Sequence, residues 1–501
     1  MPSAPAKAAM LAPSIAAARS TSGNTLGNID EIIDHAMRPL ASAVFDFTFY
    51  SVPVLGADVP LIVVWLIAGG VFFTGYLRFV NVRGFMHAIR IVRGVYADPD
   101  DPGEISQFQA LTTAVSGTVG IGNIAGVAVA ISMGGPGATF WLIAAGLLGM
   151  STKFVECTLG VMFRRDNPDG SVSGGPMYYL ERGLAGRWPR IGRGLGIFYA
   201  ASMVIGCLGI GNMFQSNQAV AILVDVTGAE ASFFADKAWL AGGAMAIAVA
   251  MVIIGGIRSI ASATSKLVPF MAVLYVLTAI SVLVLNFGEL PGAIAAIWTG
   301  AFSPDGIAGG MVGVVIIGFR RAVFSNEAGL GSAAIAHSSA RTPHPVSEGY
   351  VALLEPFIDT VVICTITALV IITTVYEPSL SNGTVSGIQL TTRAFESTIS
   401  WSPIPLAIAA ILFAFSTMIA WSYYGLKAFT YLVGERRWAD IGFKLFFCVF
   451  VVLGSSIQLG SLIDISDALV FIVAIPNLLG LYILAPIVKR ELAQYEKTMG
   501  L

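Results

Sequence analysis

The residues of this sequence best placed to bind something offer backbone rather than reactive side chains. Ser116-Gly117-Thr118-Val119-Gly120-Ile121-Gly122-Asn123 sets three glycines within six positions in the middle of a long apolar segment. Each glycine costs a helix interior roughly 1 kcal/mol relative to alanine, so the run predicts local unwinding. Unwound backbone at membrane depth persists only where it is buried in protein or lines a cavity. There the amides at the start of a half-helix face a carboxylate and the freed carbonyls face a cation. Gly120 and Gly122 allow close approach to their amides, Asn123 adds a side-chain carbonyl and Thr118 a hydroxyl. The competing reading of Gly117, Gly120 and Gly126 is a small-residue packing face between helices.

A second glycine-rich interruption, Phe324-Ser325-Asn326-Glu327-Ala328-Gly329-Leu330-Gly331-Ser332, lies some two hundred residues downstream. Ser416 and Thr417 put adjacent hydroxyls in the middle of an apolar run, where such groups either bond back to their own helix or serve another group. Trp421 stands one turn beyond Thr417 and either caps the same cavity or anchors at an interface. Gln215 belongs to a cluster of amides with Asn212, Asn217 and Gln218, which either line a cavity or bond between helices. Glu156, Glu327, Glu355 and Asp359 fall inside apolar runs, where each charge costs about 2.5–3.5 kcal/mol. Lys153 is spaced to pair with Glu156, and Glu355 and Asp359 share a face. Glu327 is placed either to pair with Arg320 or Arg321 or to satisfy half-helix amides. Structural roles are expected for the others. Ser332 and His337 are five apart, a poor fit for a nucleophile and base on one helix, and no oxyanion arrangement accompanies them. An enzyme is therefore not expected.

The elements that must hold these residues are transmembrane helices. The chain has 501 residues, 56% apolar and only 12% charged, against about 25% charged in globular proteins. Eleven apolar runs are long enough to cross a bilayer, at 59–80, 106–132, 138–163, 194–224, 238–257, 264–287, 308–336, 348–375, 404–431, 439–459 and 465–487. With the N-terminus outside, and the cytoplasmic halves of spans counted with that side, 21 of the 28 Lys and Arg residues fall on the cytoplasmic side and 5 on the other, with Arg320 and Arg321 at the middle of a span. The formal net charge of −2 gives no sign of a nucleic-acid partner. Cys157, Cys207, Cys364 and Cys448 are widely spaced within apolar runs and read as core residues. Residues 1–57 form an N-terminal tail, read as a signal, a disordered segment or, over Leu26 to Tyr50, a surface helix.

A first helix and its cytoplasmic loop occupy 58–105. The spans from 106 to 287 and from 308 to 488 then form two blocks of five, and 489–501 is a cytoplasmic tail. An odd number of spans per block inverts the second relative to the first, and each block opens with the span interrupted by glycine. Matching interruptions in two inverted halves point to a transporter site at the bilayer midplane.

The strings Gly-Thr-Val-Gly-Ile-Gly-Asn-Ile-Ala-Gly (117–126), Gly-Gly-Pro-Gly-Ala-Thr-Phe-Trp (134–141), Gly-Gly-Pro-Met-Tyr-Tyr (174–179), Phe-Ser-Asn-Glu-Ala-Gly-Leu-Gly-Ser-Ala (324–333) and Phe-Ser-Thr-Met-Ile-Ala-Trp-Ser-Tyr-Tyr-Gly (415–425) closely resemble the alanine or glycine:cation symporter family. The resemblance runs from about residue 59 to about residue 490. It implies an all-α LeuT-like fold with inverted repeats of five helices after one extra helix, in a bacterial inner membrane with the C-terminus in the cytoplasm. It implies symport of Na⁺ with alanine or glycine, H⁺ being the alternative ion. Carried over residue by residue, it places a Na⁺ site on the carbonyls of Ser116 and Val119 and the hydroxyls of Ser416 and Thr417. Substrate would meet Thr118, Gly120, Gly122, Asn123, Gln215, Phe324, Ser325 and Trp421.

Overall fold

A computed structural model describes residue 39 and residues 42–54, 57–168, 170–303, 310–377, 387–456 and 468–501. The readings for residues 1–38, and for the span ends between 457 and 467, lie outside the described residues.

The described residues are helical almost throughout. Its principal helices are α1 (Leu61–Tyr76), α2 (Gln107–Thr118), α3 (Ala125–Gly134), α4 (Ala138–Met162), α5 (Pro189–Val226), α6 (Ala238–Ile253), α7 (Gly256–Leu285), α8 (Gly310–Asn326), α9 (Ser332–His337), α10 (Pro345–Thr374), α11 (Pro403–Val433), α12 (Arg437–Ser456) and α13 (Ala468–Met499). Among the described residues, α4, α5, α7, α10, α11, α12 and α13 are long and apolar enough to cross a bilayer, and they coincide with the runs predicted there. The predicted run at 106–132 is the pair α2 and α3, bent by 60°. The runs at 59–80 and 238–257 fall on the shorter apolar helices α1 and α6, and the run at 308–336 on α8 and α9.

Side-chain periodicity shows which helices face lipid. On α7, Phe270, Val273, Leu277, Ile280 and Val284 are exposed at alternating spacings of three and four, one stripe of the helix. α11 is the opposite case. It is buried along most of its length from Leu406 to Thr430 and packs against α2, α5, α7 and α12, so residues on several of its faces point into protein. Among the described residues two helices carry π-helical turns, Gly209–Met213 in α5 and Phe357–Cys364 in α10. Such turns rotate the residues beyond them off the regular helical face.

The segments that lead into α2 and out of α9 are tied together. Ile105 and Ala340 form a parallel bridge, with Glu104 N–H donating to Ser339 O at 2.8 Å and Arg341 N–H to Ile105 O at 2.7 Å. Arg164, just past α4, donates to Pro102 O at 2.7 Å, Ala340 O at 2.8 Å and Ser338 O at 3.1 Å. One guanidinium therefore pins both strands of the junction.

Candidate functional site

α2 starts at a capping box, in which Ser106 Oγ accepts from Gln109 N–H and Gln109 Oε1 accepts from Ser106 N–H. It ends where the glycines predict. Val119 and Gly120 are extended, a short 3₁₀ turn covers Ile121–Asn123, and α3 begins at Ala125. The break frees backbone groups on both sides. Thr417 Oγ1 donates to Ser116 O at 3.1 Å and Trp421 Nε1 to Gly117 O at 3.2 Å. Among the described residues, the carbonyls of Thr118 and Val119 have no donor and the amides of Ile121 and Gly122 no acceptor. Such groups call for a partner, because an unpaired buried polar group costs about 1–3 kcal/mol.

The second break is built from left-handed backbone at Glu327 (φ 57°), Gly329 (φ 94°) and Gly331 (φ 80°). Glycine is favoured at Gly329 by its φ of 94°, which L side chains rarely adopt, and a Cβ there would also press on Leu66 Cδ2. This break is anchored from several helices. Tyr199 donates to Leu330 O at 2.9 Å and Asn477 Nδ2 to Gly329 O at 2.8 Å, while the Glu327 carboxylate accepts from Ser332.

The two breaks touch. The Phe324 ring lies 3.7 Å from where a Cβ on Gly122 would stand. Asn123 Nδ2 donates to Asp359 Oδ1 at 2.6 Å and to Ser325 Oγ at 3.0 Å, and Ser325 donates to Asp359 Oδ2 at 2.8 Å. Asp359 sits in the π-helical part of α10 and also accepts from Thr360 at 2.7 Å. One carboxylate thus joins both interrupted helices to α10. From the sequence Asp359 reads as structural. Its one sign of more was its position, a carboxylate in the middle of an apolar run.

The predicted site residues are largely brought together, with different duties from those expected. Asn123 Oδ1, expected to face substrate, instead accepts from Gly120 N–H at 2.8 Å, so the Gly120 amide is occupied. Thr118 turns its hydroxyl back toward the carbonyls of Ala114 and Val115, leaving only its own carbonyl free. Thr417 crosses to α2, whereas the Ser416 hydroxyl donates to Phe413 O at 2.9 Å within its own helix. Ser416 still meets α2 through its carbonyl, which accepts from Ser116 Oγ at 2.6 Å. Val119 is fully buried beside this junction. Trp421 is no interfacial anchor, being only 1% exposed. Its ring packs on the π turn of α5, where a Cβ on Gly211 would come within 2.4 Å.

Within the amide cluster the roles divide. Asn212 and Asn217 donate to carbonyls of α12 at 2.8 and 3.1 Å. Gln215 donates to Ile210 O at 3.1 Å, and its buried Oε1 has no hydrogen-bond partner. That oxygen lies 3.6 Å from where a Cβ on Gly120 would be, across from the first break.

Two expectations about charge need correction. Lys153 pairs with Glu355 at 2.8 Å rather than with Glu156, which instead accepts from Asn477 at 2.8 Å. Lys153 is fully buried in α4. Glu327 takes the Ser332 hydroxyl, while the Arg320 guanidinium lies over the Phe49 ring at 4.3 Å. Ser332 and His337 have separate partners, Glu327 and Glu348.

Two interrupted helices whose breaks meet in a membrane-embedded bundle define the class, a secondary transporter rather than an enzyme. Residues 48–500 match the model of the sodium:alanine symporter family. The chain is 39% identical over 438 residues to the sodium/alanine symporter AgcS of Methanococcus maripaludis, covering 86% of this chain and 93% of that protein. It is 32% identical over 450 residues to the putative sodium/proton-dependent alanine carrier protein YrbD of Bacillus subtilis, covering 87% and 90% respectively. The crystal structure of MhsT in complex with L-phenylalanine superposes with a TM-score of 0.54 at 16% identity, over 77% of this chain and 98% of that one, which establishes the LeuT-like fold. The chain belongs to the sodium:alanine symporter family.

Proposed function

We propose that this protein imports a small neutral amino acid, alanine or glycine, together with Na⁺ by alternating access. The observation that carries the reading is the set of unpaired groups around the first break. A zwitterion needs donors for its carboxylate and acceptors for its ammonium in one dry place. The free amides of Ile121 and Gly122 supply the first, and Gln215 Oε1 with the free Thr118 carbonyl supplies the second. Gly120 supplies clearance, Trp421 and Phe324 the walls, and Asn123 and Ser325 the fastening between the breaks.

Na⁺ belongs at the meeting of α2 and α11, on the carbonyls of Ser116 and Val119 and on Thr417 Oγ1, hard oxygen donors of the kind such cations take. Ser416 contributes its hydroxyl there only by turning away from Phe413 O. Coupling to H⁺ is the second reading, favoured by the buried carboxylate of Asp359 at the crossing of the breaks. We further read eleven spans in an inner membrane, N-terminus outside and C-terminus cytoplasmic, with inverted repeats at 106–287 and 308–488. Na⁺-dependent alanine binding, competed by a panel of amino acids, tests the assignment. Gln215→Leu, which keeps the volume but removes the acceptor, should weaken binding about 10–100-fold, as expected when a hydrogen bond to a charged group worth about 1.5–3 kcal/mol is lost. Unchanged affinity in that variant would remove Gln215 from the site.

A further inference from the structure

Away from the break, four ionisable side chains from three helices pack together with no exposure at all: Lys153 on α4, His337 at the end of α9, and Glu348 and Glu355 on α10. Lys153 Nζ donates to Glu355 Oε1 at 2.8 Å, and His337 Nδ1 lies 2.6 Å from Glu348 Oε1. On the other side of the ring, Nε2 stands 3.8 Å from Glu355 Oε2, and neither atom has a hydrogen-bond partner. Glu348 Oε2 is unpartnered as well.

The charges balance only with one more proton. Two carboxylates face one ammonium, so a neutral imidazole leaves one buried negative charge uncompensated. With the Nδ1 proton given to Glu348, the Nε2 lone pair of a neutral ring points toward the Glu355 carboxylate, and the two repel. A proton on Nε2 turns that repulsion into attraction across the 3.8 Å gap. The surrounding ionisable groups are Glu156, Cys157 and Arg164 on or just past α4, Asp359 on α10, Tyr424 on α11, and Glu327 at the second break. Of these, Arg164 is committed to the carbonyls of Pro102, Ser338 and Ala340.

We propose that His337 is a proton-binding site, holding an imidazolium between Glu348 and Glu355 while the cytoplasmic side is closed. The ring ends the inner half of the second interrupted helix, and the chain runs from it directly into the Ser338–Thr342 segment bridged to Pro102–Ser106. Separating α9 from α10 would place the ring in water, where imidazole titrates near pH 6.5 and is mostly neutral at cytoplasmic pH. Opening inward then releases the proton and closing takes it back, so rising pH weakens the closed state. This holds whichever ion is co-transported.

The test is the protonation state of the ring, read by ¹⁵N NMR of histidine-labelled full-length protein in nanodiscs. His35→Gln/His87→Gln/His344→Gln leaves His337 as the single histidine of the four. Ile105→Cys/Ala340→Cys, cross-linked across the bridge, holds the cytoplasmic side closed. At about pH 7.5, where free imidazole is mostly neutral, the cross-linked protein should show both ring nitrogens protonated. Glu348→Gln on that background should lose the imidazolium signal, and Glu348→Asp serves if the Gln variant does not fold. A neutral ring in the cross-linked protein overturns the proposal. So does an imidazolium that persists unchanged after the Glu348 carboxylate is removed or withdrawn.

Discussion

Adding one methyl group at Gly120 should disable the site while leaving the fold in place. Gly120 is extended, with φ −142° and ψ −159°, a backbone that alanine accepts. The new Cβ would lie 2.8 Å from Thr417 Oγ1 and 3.6 Å from Gln215 Oε1. Thr417 must therefore rotate and give up its hydrogen bond to Ser116 O, on the one cross-helix hydroxyl assigned to Na⁺. Overpacking costs about 1–3 kcal/mol and the lost hydrogen bond about 1 kcal/mol more. Together, about 2–4 kcal/mol corresponds to a loss of about 30–1,000-fold in Na⁺-dependent alanine affinity. The assay is equilibrium binding of labelled alanine to purified protein over a series of Na⁺ concentrations, with elution profile and thermal unfolding as checks on folding. Because the penalty comes from one atom, Thr417→Ala should remove most of it. Gly120→Ala/Thr417→Ala should bind only about tenfold worse than Thr417→Ala alone. Normal binding in Gly120→Ala, or strict additivity of the two substitutions, would refute the reasoning.

The two hydroxyls on α11 should separate in the same assay. Thr417→Ala is expected to raise the Na⁺ concentration needed for half-maximal binding at least tenfold, whereas Ser416→Ala, whose hydroxyl bonds its own helix, should shift it far less. Equal effects would mean that Ser416 turns to the ion in the bound state. Arg164→Ala removes three hydrogen bonds to carbonyls of the junction between Pro102 and Ser338–Ala340, proposed to face the cytoplasm, and should shift the resting protein toward an inward-open form. A cysteine placed at Ala340 would then react with a cytoplasmic thiol reagent at least tenfold faster than in the otherwise native protein, and an unchanged rate would dissociate Arg164 from closure.

Much of this site can be read in the residues themselves, because its working parts are backbone and glycine announces where backbone comes free. The break at Val119–Gly120 is where the glycine run places it, and the partnership of Thr417 with Ser116 matches the motif alignment. What could not be read is how side chains choose among tertiary partners. Lys153 and Glu156 are correctly spaced to pair on one helix, yet a carboxylate from α10 approaches Lys153 at 2.8 Å and an amide from α13 takes Glu156. Asn123 has the right type and place to meet substrate. Its carbonyl instead closes onto Gly120, a local bond that competes with any external one. Asp359 could not be placed at the crossing because π-helical turns have no signature in this sequence, and without that turn the register along α10 is misjudged. Trp421 leaves two readings open in the sequence, and its burial against Gly211 removes the interfacial anchor.

The most direct test of the account is uphill uptake of alanine into proteoliposomes carrying an imposed Na⁺ gradient and membrane potential. One Na⁺ entering down 100 mV supplies about 2.3 kcal/mol, enough for roughly fifty-fold accumulation of a neutral solute before the chemical gradient is counted. Accumulation should saturate with alanine and collapse when external Na⁺ is replaced by K⁺ or choline. Uptake that ignores the Na⁺ gradient but follows an imposed pH gradient would contradict the sodium assignment and move the coupling to H⁺.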